Sequence, residues 1–221
     1  MVTVPIRPTT LAGLLDELAD TIDDRDPSGW TRVAVDGAPP AGPGALADAL
    51  VDPMRLRGRP VLRVRARDFL RPASLRFEHG RTDPDAFRTD WLDVGGLARE
   101  VLDPLDVGGS GRVLPALWDA VADRASRAGY VALPPGGVLL VDGSLLLGRG
   151  LAFDVTVHLA MSAAALARRV DPSDRWTLPA YARYDELVEP AATAAVVVLV
   201  DHPERPAIRH NKARNRNSHP A

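Results

Sequence analysis

Residues 31–50 read TRVAVDGAPPAGPGALADAL, and this stretch decides the fold. The apolar residues 33–35 predict a short buried strand, and a turn rich in glycine and proline follows them. Residues 45–51 are rich in Ala and Leu, which favour a helix. In open α/β sheets, ligands bind where a strand ends and the chain turns into a helix, so the turn at 37–44 is the first candidate site.

The turn keeps the glycine spacing of a phosphate-binding loop but lacks its reactive groups. In the pattern G-x-x-x-x-G-K-[ST], backbone N–H groups and the lysine hold phosphates, and the hydroxyl binds Mg²⁺. Gly37 and Gly42 fit the spacing, whereas Pro43 stands at the lysine position and Gly44 at the hydroxyl position. The three prolines of the turn also remove N–H donors. Turns of this composition also occur without a ligand, so the pattern alone leaves both interpretations open.

Composition predicts one cytoplasmic domain. The 221 residues are 46% hydrophobic, which is enough for a sizeable core, and they include no cysteine, which excludes disulfides and thiol chemistry. No apolar run reaches the roughly 18 residues of a membrane span, and the first residues lack the order of a signal peptide. A net charge of −2 gives no reason to expect a nucleic acid or a membrane as partner. We expect a domain over residues 1–203 and a basic tail without fixed structure over 204–221.

Lysine usage restricts the chemistry of any phosphate site. Of the 27 lysines and arginines, Lys212 is the one lysine, and it lies in the tail. No lysine of the folded body can therefore replace the one missing from the loop. Any cation at a phosphate site of the domain must be arginine.

Hydrophobic periodicity predicts strands that alternate with helices, which is typical of a parallel α/β sheet. Strands are expected over residues 32–36, 60–66, 137–147, 153–161 and 194–200, and helices over 9–23, 162–169 and 178–192. Residues 84–105 predict two helices that separate near Gly95 and Gly96. The alternation of arginine with apolar residues in 60–66 indicates a strand at the edge of the sheet or in a half-exposed position. Residues 112–130 fit either a helix or a hairpin.

Five segments, taken in order, resemble the uridine kinase branch of the P-loop kinases, close to the uridine-kinase-like proteins of actinobacteria. They are VAVDGAPPAGPG (33–44), RDFLRP (67–72), GRTDPDAFRTDWLD (80–93), VLLVDGSLLL (138–147) and VLVDH (198–202). The resemblance covers most of residues 10–203. It implies a P-loop NTPase-like three-layer sandwich, with a parallel sheet of about five strands between helices. It also implies transfer of the γ-phosphoryl group of ATP, with Mg²⁺, to the 5′-hydroxyl of a pyrimidine nucleoside.

The resemblance assigns the ATP side of the site to the loop and to a mobile lid at about 168–190. Asp142 matches the acidic residue at the end of the Walker B strand, which helps to hold Mg²⁺. The lid arginines would neutralise charge on the phosphates, although arginines at a helix end are also favoured by the helix dipole. The candidate nucleotide-binding residues are Gly37, Ala41, Gly42, Gly44, Ala45, Arg168, Arg169 and Arg175.

On the nucleoside side, the chain departs from the family pattern at further positions. The family's acidic base position is occupied by Arg67, and Asp68 beside it points to the opposite side of an extended segment. A second acidic position is occupied by Thr82, which leaves Asp83 as the candidate. Phe87 is retained and could stack on a base. Asp119 is another candidate for the substrate side, and a turn carboxylate would explain it equally well.

Because phosphoryl transfer depends on positioning and charge neutralisation, these losses predict a catalytically impaired protein. It would serve as a small-molecule-binding or regulatory module, with a nucleoside or a phosphorylated small molecule as ligand and doubtful binding of ATP and Mg²⁺. The alternative is an active nucleoside kinase that uses Arg67, Arg168 or Arg169 for the phosphates and Asp68 or Asp142 as base or metal ligand. The sequence leaves open whether the chain forms a homo-oligomer. The tail could bind an acidic partner, but such runs are usually solvated termini.

Overall fold

A computed structural model describes residues 5–202 and 204–211 of the chain. The strands are β1 (Arg7–Pro8), β2 (Thr31–Asp36), β3 (Val61–Arg65), β4 (Arg112–Val113), β5 (Trp118–Asp119), β6 (Arg124–Ala125), β7 (Val131–Ala132), β8 (Val138–Gly143), β9 (Val155–Ala160), β10 (Val196–Leu199) and β11 (Ala207–His210). The helices are α1 (Leu11–Asp23), α2 (Pro43–Leu56), α3 (Ala73–Arg76), α4 (Pro84–Thr89), α5 (Val94–Leu97), α6 (Ala163–Arg169), α7 (Leu178–Val188) and α8 (Pro190–Thr193).

The predicted parallel sheet is confirmed. Its parallel strands lie in the order β3-β8-β2-β9-β10, and the antiparallel strands β11 and β1 extend the sheet beyond β10 to seven strands. Strands β2, β8 and β9 have neighbours on both sides, which explains their nearly continuous apolar sequence. Strand β3 lies at the edge, as its alternation with arginine predicted. The carboxyl ends of β2, β3 and β8 meet at one side of the sheet, where the loop at 37–44 begins.

Helices cover both faces of the sheet and complete the three layers. On one face, α1 and α2 pack on alternate residues of the strands through the fully buried side chains of Leu18, Ile22, Leu50 and Met54. On the other face, the segment from the end of β3 to α5 covers β8, while α6 and α7 cover the strands next to it. Burial of these apolar stripes supplies most of the stability of the fold.

Two sequence predictions need correction, and one open alternative is decided. The break within 84–105 lies at residues 90–93, because Asp93 caps α5 by accepting the N–H of Gly96 at 2.8 Å, and both glycines lie inside that helix. Of the two alternatives for residues 112–130, the structure has the hairpin, with short antiparallel pairs of β4 with β7 and β5 with β6. The helix at 178–192 divides at Glu189, whose φ of 50° is left-handed.

The sheet also extends past residue 203, where we expected the domain to end. Strand β11 pairs with β10, and its Ile208 is 1% exposed and belongs to the core beneath α1. The first part of the predicted tail is therefore a strand. Lys212 and the rest of the tail lie outside the described residues. Among the helices that the structure describes, none is long and apolar enough to cross a membrane.

The contribution of β11 can be measured with two isoleucines. Ile208→Ala should lower the free energy of unfolding by about 2–5 kcal/mol, because it leaves a cavity in a packed core. Ile6→Ala is the matched control, and its effect should stay within about 0.5 kcal/mol since Ile6 is 53% exposed. Urea denaturation of both variants measures the difference. Equal effects would contradict the assignment of β11 to the core.

Candidate active site

The loop after β2 is wound tightly and uses its own N–H groups. Residues Pro39–Ala41 form a 3₁₀ turn, in which Ala41 donates its N–H to the carbonyl of Ala38 at 2.8 Å and Gly42 donates to Pro39 at 3.0 Å. Gly42 then takes a φ of 79°, which favours glycine, and Pro43 opens α2. The first-turn amides of a helix have no partner within the helix, so Gly44 and Ala45 keep donors for a ligand.

A buried polar network anchors the start of this loop. Asp36 is fully buried and accepts hydrogen bonds from the Tyr184 hydroxyl at 2.9 Å and from the N–H of Leu146 at 2.9 Å, and its Oδ2 lies 2.7 Å from Nδ1 of His158. The Tyr184 hydroxyl in turn accepts the N–H of Leu147 at 3.0 Å. Burial and the negative charge of Asp36 raise the pKa of Tyr184, so the hydroxyl remains a donor. The loop is thus fixed to β9, α7 and the segment after β8.

The network predicts an asymmetry between two tyrosines. Tyr184→Phe should cost about 1–3 kcal/mol of stability, because it leaves the buried N–H of Leu147 without its acceptor and removes one of the donors to Asp36. Tyr130→Phe is the control: Tyr130 is 51% exposed and its hydroxyl bonds to Glu100, so the loss should stay within about 0.5 kcal/mol. Chemical denaturation measures both. A Tyr184→Phe variant as stable as the wild type would show that the network does not hold the loop.

Next to the loop, an arginine lies between two carboxylates. Asp142 is 7% exposed at the end of β8, and its Oδ1 accepts a hydrogen bond from Nε of Arg63 on β3 at 2.8 Å. Another nitrogen of the same guanidinium is ion-paired with Asp48 on α2. A Cβ added at Gly44 would lie 2.9 Å from Nη2 of Arg63 and 3.2 Å from Oδ2 of Asp142. Although partial burial opposes the charge, the hydrogen bond and the charges of Asp142 and Asp48 raise the pKa of Arg63.

The residues at this position do not fit Mg²⁺. A P-loop holds the ion with a Ser or Thr hydroxyl and an acidic residue at the end of the Walker B strand. Gly44 offers no oxygen, and Asp142 already accepts from Arg63. Within the described residues, no group of three or more His, Asp or Glu is placed to hold a metal ion.

A cavity of about 690 Å³ opens beside this pair, between the loop, the end of β3 and helix α4. Its lining includes the apolar side chains of Leu70, Phe87, Trp91, Leu92 and Tyr181. It also includes charged and polar side chains, those of Asp48, Arg63, Arg65, Arg67, Asp142, Ser144 and Arg149. Such a combination of apolar surface and a few polar groups is typical of a small-molecule site.

The apolar and the polar side chains of the cavity differ in the contacts that they already make. Phe87 meets Trp91 edge-to-face at 5.1 Å and Tyr181 at 6.0 Å between ring centroids, so the aromatic side chains are pre-organised. Among the polar side chains, Arg65 is ion-paired with Asp68 at 2.7 Å. Arg67 is exposed and approaches Asp68 only to 3.9 Å. Arg149 donates to backbone carbonyls, and its partial burial lowers its pKa.

The structure brings together some of the predicted site residues. Gly42, Gly44, Ala45, Arg67, Phe87 and Asp142 line the cavity. Ala41 is engaged in the 3₁₀ turn, and Gly37 closes the end of β2 by donating its N–H to Gly143 at 3.0 Å. Asp68 lies behind the cavity wall, paired with Arg65.

The remaining predicted residues have structural contacts away from the cavity. Asp83 caps α4 by accepting the N–H of Ala86 at 2.8 Å. Asp119 accepts two N–H groups in the β5–β6 turn, and these hydrogen bonds lower its pKa. Arg169 donates to the carbonyl of Val200 at 3.0 Å, while Arg168 and Arg175 are exposed. The predicted lid packs through Trp176 and Tyr181 on Phe87.

The sequence analysis missed Arg63, Asp48, Trp91, Tyr181 and Arg149. A signal existed for Arg63, because residues 61, 63 and 65 of a strand share one face. The sequence did not show which strand pairs with β3. In the structure β3 pairs with β8, so that Arg65 lies opposite Asp142 and Arg63 lies diagonally from it. Diagonal neighbours on one face are within reach of a long side chain.

Comparison with solved structures gives the fold. A structure described as a possible uridine kinase from Bacillus stearothermophilus matches with a TM-score of 0.68 and 22% identity, over 85% of this chain and 98% of that one. A candidate fructose transport system kinase from Silicibacter sp. TM1040 matches with a TM-score of 0.55 and 23% identity, over 83% and 91%. The YGR205w protein matches with a TM-score of 0.53 and 10% identity, over 91% and 99%. No family model and no curated protein matches the chain. The protein therefore has a P-loop kinase-like α/β fold.

Proposed function

We propose that this protein is a uridine-kinase-like P-loop protein that binds a nucleoside or a phosphorylated small molecule and does not transfer phosphate from ATP. The observation that carries the proposal is the state of the loop, in which the lysine, the hydroxyl and most free N–H groups of a phosphate site are absent. A cytoplasmic location, where nucleosides and their phosphates occur, goes with this proposal.

The number of donors supports loss of ATP binding. Two loop amides, those of Ala41 and Gly42, are used within the 3₁₀ turn, and the prolines have none. At the start of α2, the N–H groups of Gly44 and Ala45 can still donate to an anion. Each hydrogen bond to a charged group contributes about 1.5–3 kcal/mol, so several lost donors cost many powers of ten in affinity or rate.

The cavity supports retention of a small ligand. Its aromatic side chains suit a planar or apolar group, and its polar side chains include the exposed Arg67, whose guanidinium comes no closer than 3.9 Å to the carboxylate of Asp68. An arginine of this kind can form charge-assisted hydrogen bonds to a phosphate or carboxylate. The expected ligand is therefore a nucleoside or a similar compound with at most a small anionic group.

Calorimetric titration can test the proposal with the full chain. We expect heat of binding with uridine, cytidine or their 5′-monophosphates, the same affinity with Mg²⁺ or EDTA, and none with ATP. A coupled assay should detect no phosphorylation of either nucleoside. Turnover at an ordinary enzyme rate would contradict the proposal and favour the active kinase, and absence of binding by every compound would contradict retention of the ligand.

Two arginines provide a matched pair of variants. Arg67→Met should weaken binding of a monophosphate about 10- to 100-fold and leave the nucleoside unaffected, because it removes one charge-assisted hydrogen bond at the cavity. Arg168→Met should change neither affinity, because Arg168 is exposed on α6 away from the cavity. Weaker monophosphate binding by Arg168→Met, with unchanged binding by Arg67→Met, would instead assign the anion to the lid region.

A further inference from the structure

The guanidinium of Arg63 lies at the position where a P-loop protein holds its metal ion. The guanidinium connects three elements: β3, which carries Arg63, β8 through Asp142 and α2 through Asp48. The side chains of Arg63 and Asp142 are 23% and 10% exposed, so the ion pair is largely removed from water. Gly44, at the position of the Mg²⁺-binding hydroxyl, lies directly against the guanidinium.

We propose that Arg63 is a built-in cation that replaces Mg²⁺ at this loop, so that the protein neither binds nor needs a divalent metal there. The inference rests on the proposed function only for the loss of metal-dependent ATP binding. Charge neutralisation of Asp142, which a metal would supply in part, comes from the chain itself.

The absence of a side chain at position 44 fits this arrangement. A Cβ at 2.9 Å from Nη2 of Arg63 would be closer than side-chain contacts normally come, and at 3.2 Å from Oδ2 of Asp142 it would be tighter than most. A Ser or Thr at this position would therefore push the guanidinium away from Asp142. The missing hydroxyl and the guanidinium are therefore linked. Glycine at position 44 leaves space for Arg63, which supplies the positive charge that a metal would supply.

Removal of the arginine should expose a latent metal site. Without Arg63, the carboxylates of Asp48 and Asp142 face the same space with no cation between them. Carboxylate oxygens are preferred ligands of Mg²⁺ and Mn²⁺. A divalent cation should then restore part of the lost stability by binding to the folded state.

The main experiment measures thermal unfolding of the full chain in EDTA and in millimolar MgCl₂ or MnCl₂. The wild type should show the same melting temperature in all three conditions. Arg63→Met should melt about 5 °C or more lower in EDTA, because a buried carboxylate loses its partner, and should recover with metal. Calorimetry with MnCl₂ should detect a bound ion in this variant and none in the wild type.

Arg65→Met is the matched control, because Arg65 lies two residues away on the same strand and is ion-paired with Asp68. Its melting temperature should not respond to metal. A metal response in the wild type, or a folded Arg63→Met variant without one, would overturn the inference. If Arg63→Met does not fold, Arg63→Gln replaces it, and failure of both to fold with metal present would also overturn the inference.

A second prediction uses Gly44 in a double-mutant cycle. Gly44→Thr alone should lower the melting temperature, because its Cβ enters the space of the guanidinium. In the Arg63→Met background the same change should be tolerated and should increase the affinity for Mn²⁺, since the hydroxyl adds an oxygen ligand. Additive effects on melting temperature would contradict a shared space for the two residues.

The metal and ligand experiments separate the two proposals. Recovery of Arg63→Met by metal, together with no binding of nucleosides or monophosphates, would overturn the proposed function and retain the built-in cation. Ligand binding by the wild type, together with no metal response in Arg63→Met, would retain the proposed function and overturn the built-in cation.

Discussion

A buried carboxylate needs a partner, and the neutralisation of Asp142 is the constraint on which this side of the molecule depends. Strand β8 is buried along its length, and it delivers Asp142 to the edge of the sheet with 7% exposure. An uncompensated charge at this depth would cost several kcal/mol. The ion pair with Arg63 offsets part of that cost, and the guanidinium connects β3, β8 and α2 directly beside Gly44.

The loop is held by contacts within the protein, at its start and in its middle. At its start, Asp36 is held by His158, Tyr184 and the N–H of Leu146. In its middle, the 3₁₀ turn satisfies the amides of Ala41 and Gly42. A phosphate loop that binds nucleotide must instead keep such amides free and convergent. The prolines have no N–H group, so fewer donors of this loop need a partner when no ligand is present.

The sequence predicted those parts of the fold that follow from hydrophobic periodicity, including the five parallel strands and the edge position of β3. Strand β11 was missed because Ala207–His210 has only one strongly apolar residue, Ile208, inside a basic stretch. Its pairing with β10 is a tertiary contact that no local pattern shows. Asp83 could have been recognised as a helix cap, since it directly precedes Pro84, a common first residue of helices.

The site was less predictable, because it depends on which strands are neighbours. Asp142 and the glycines could be placed from their motifs, and Phe87 from the family resemblance. Arg63 and Asp48 could not, because they are separated from Asp142 in sequence and meet it only through strand register and the packing of α2. The motif therefore shows which groups of a phosphate loop are missing here, whereas the position of the Arg63 guanidinium beside Gly44 follows only from the structure. The space that a hydroxyl-bearing side chain would enter at position 44 is occupied by that guanidinium, which is paired with Asp142 and Asp48.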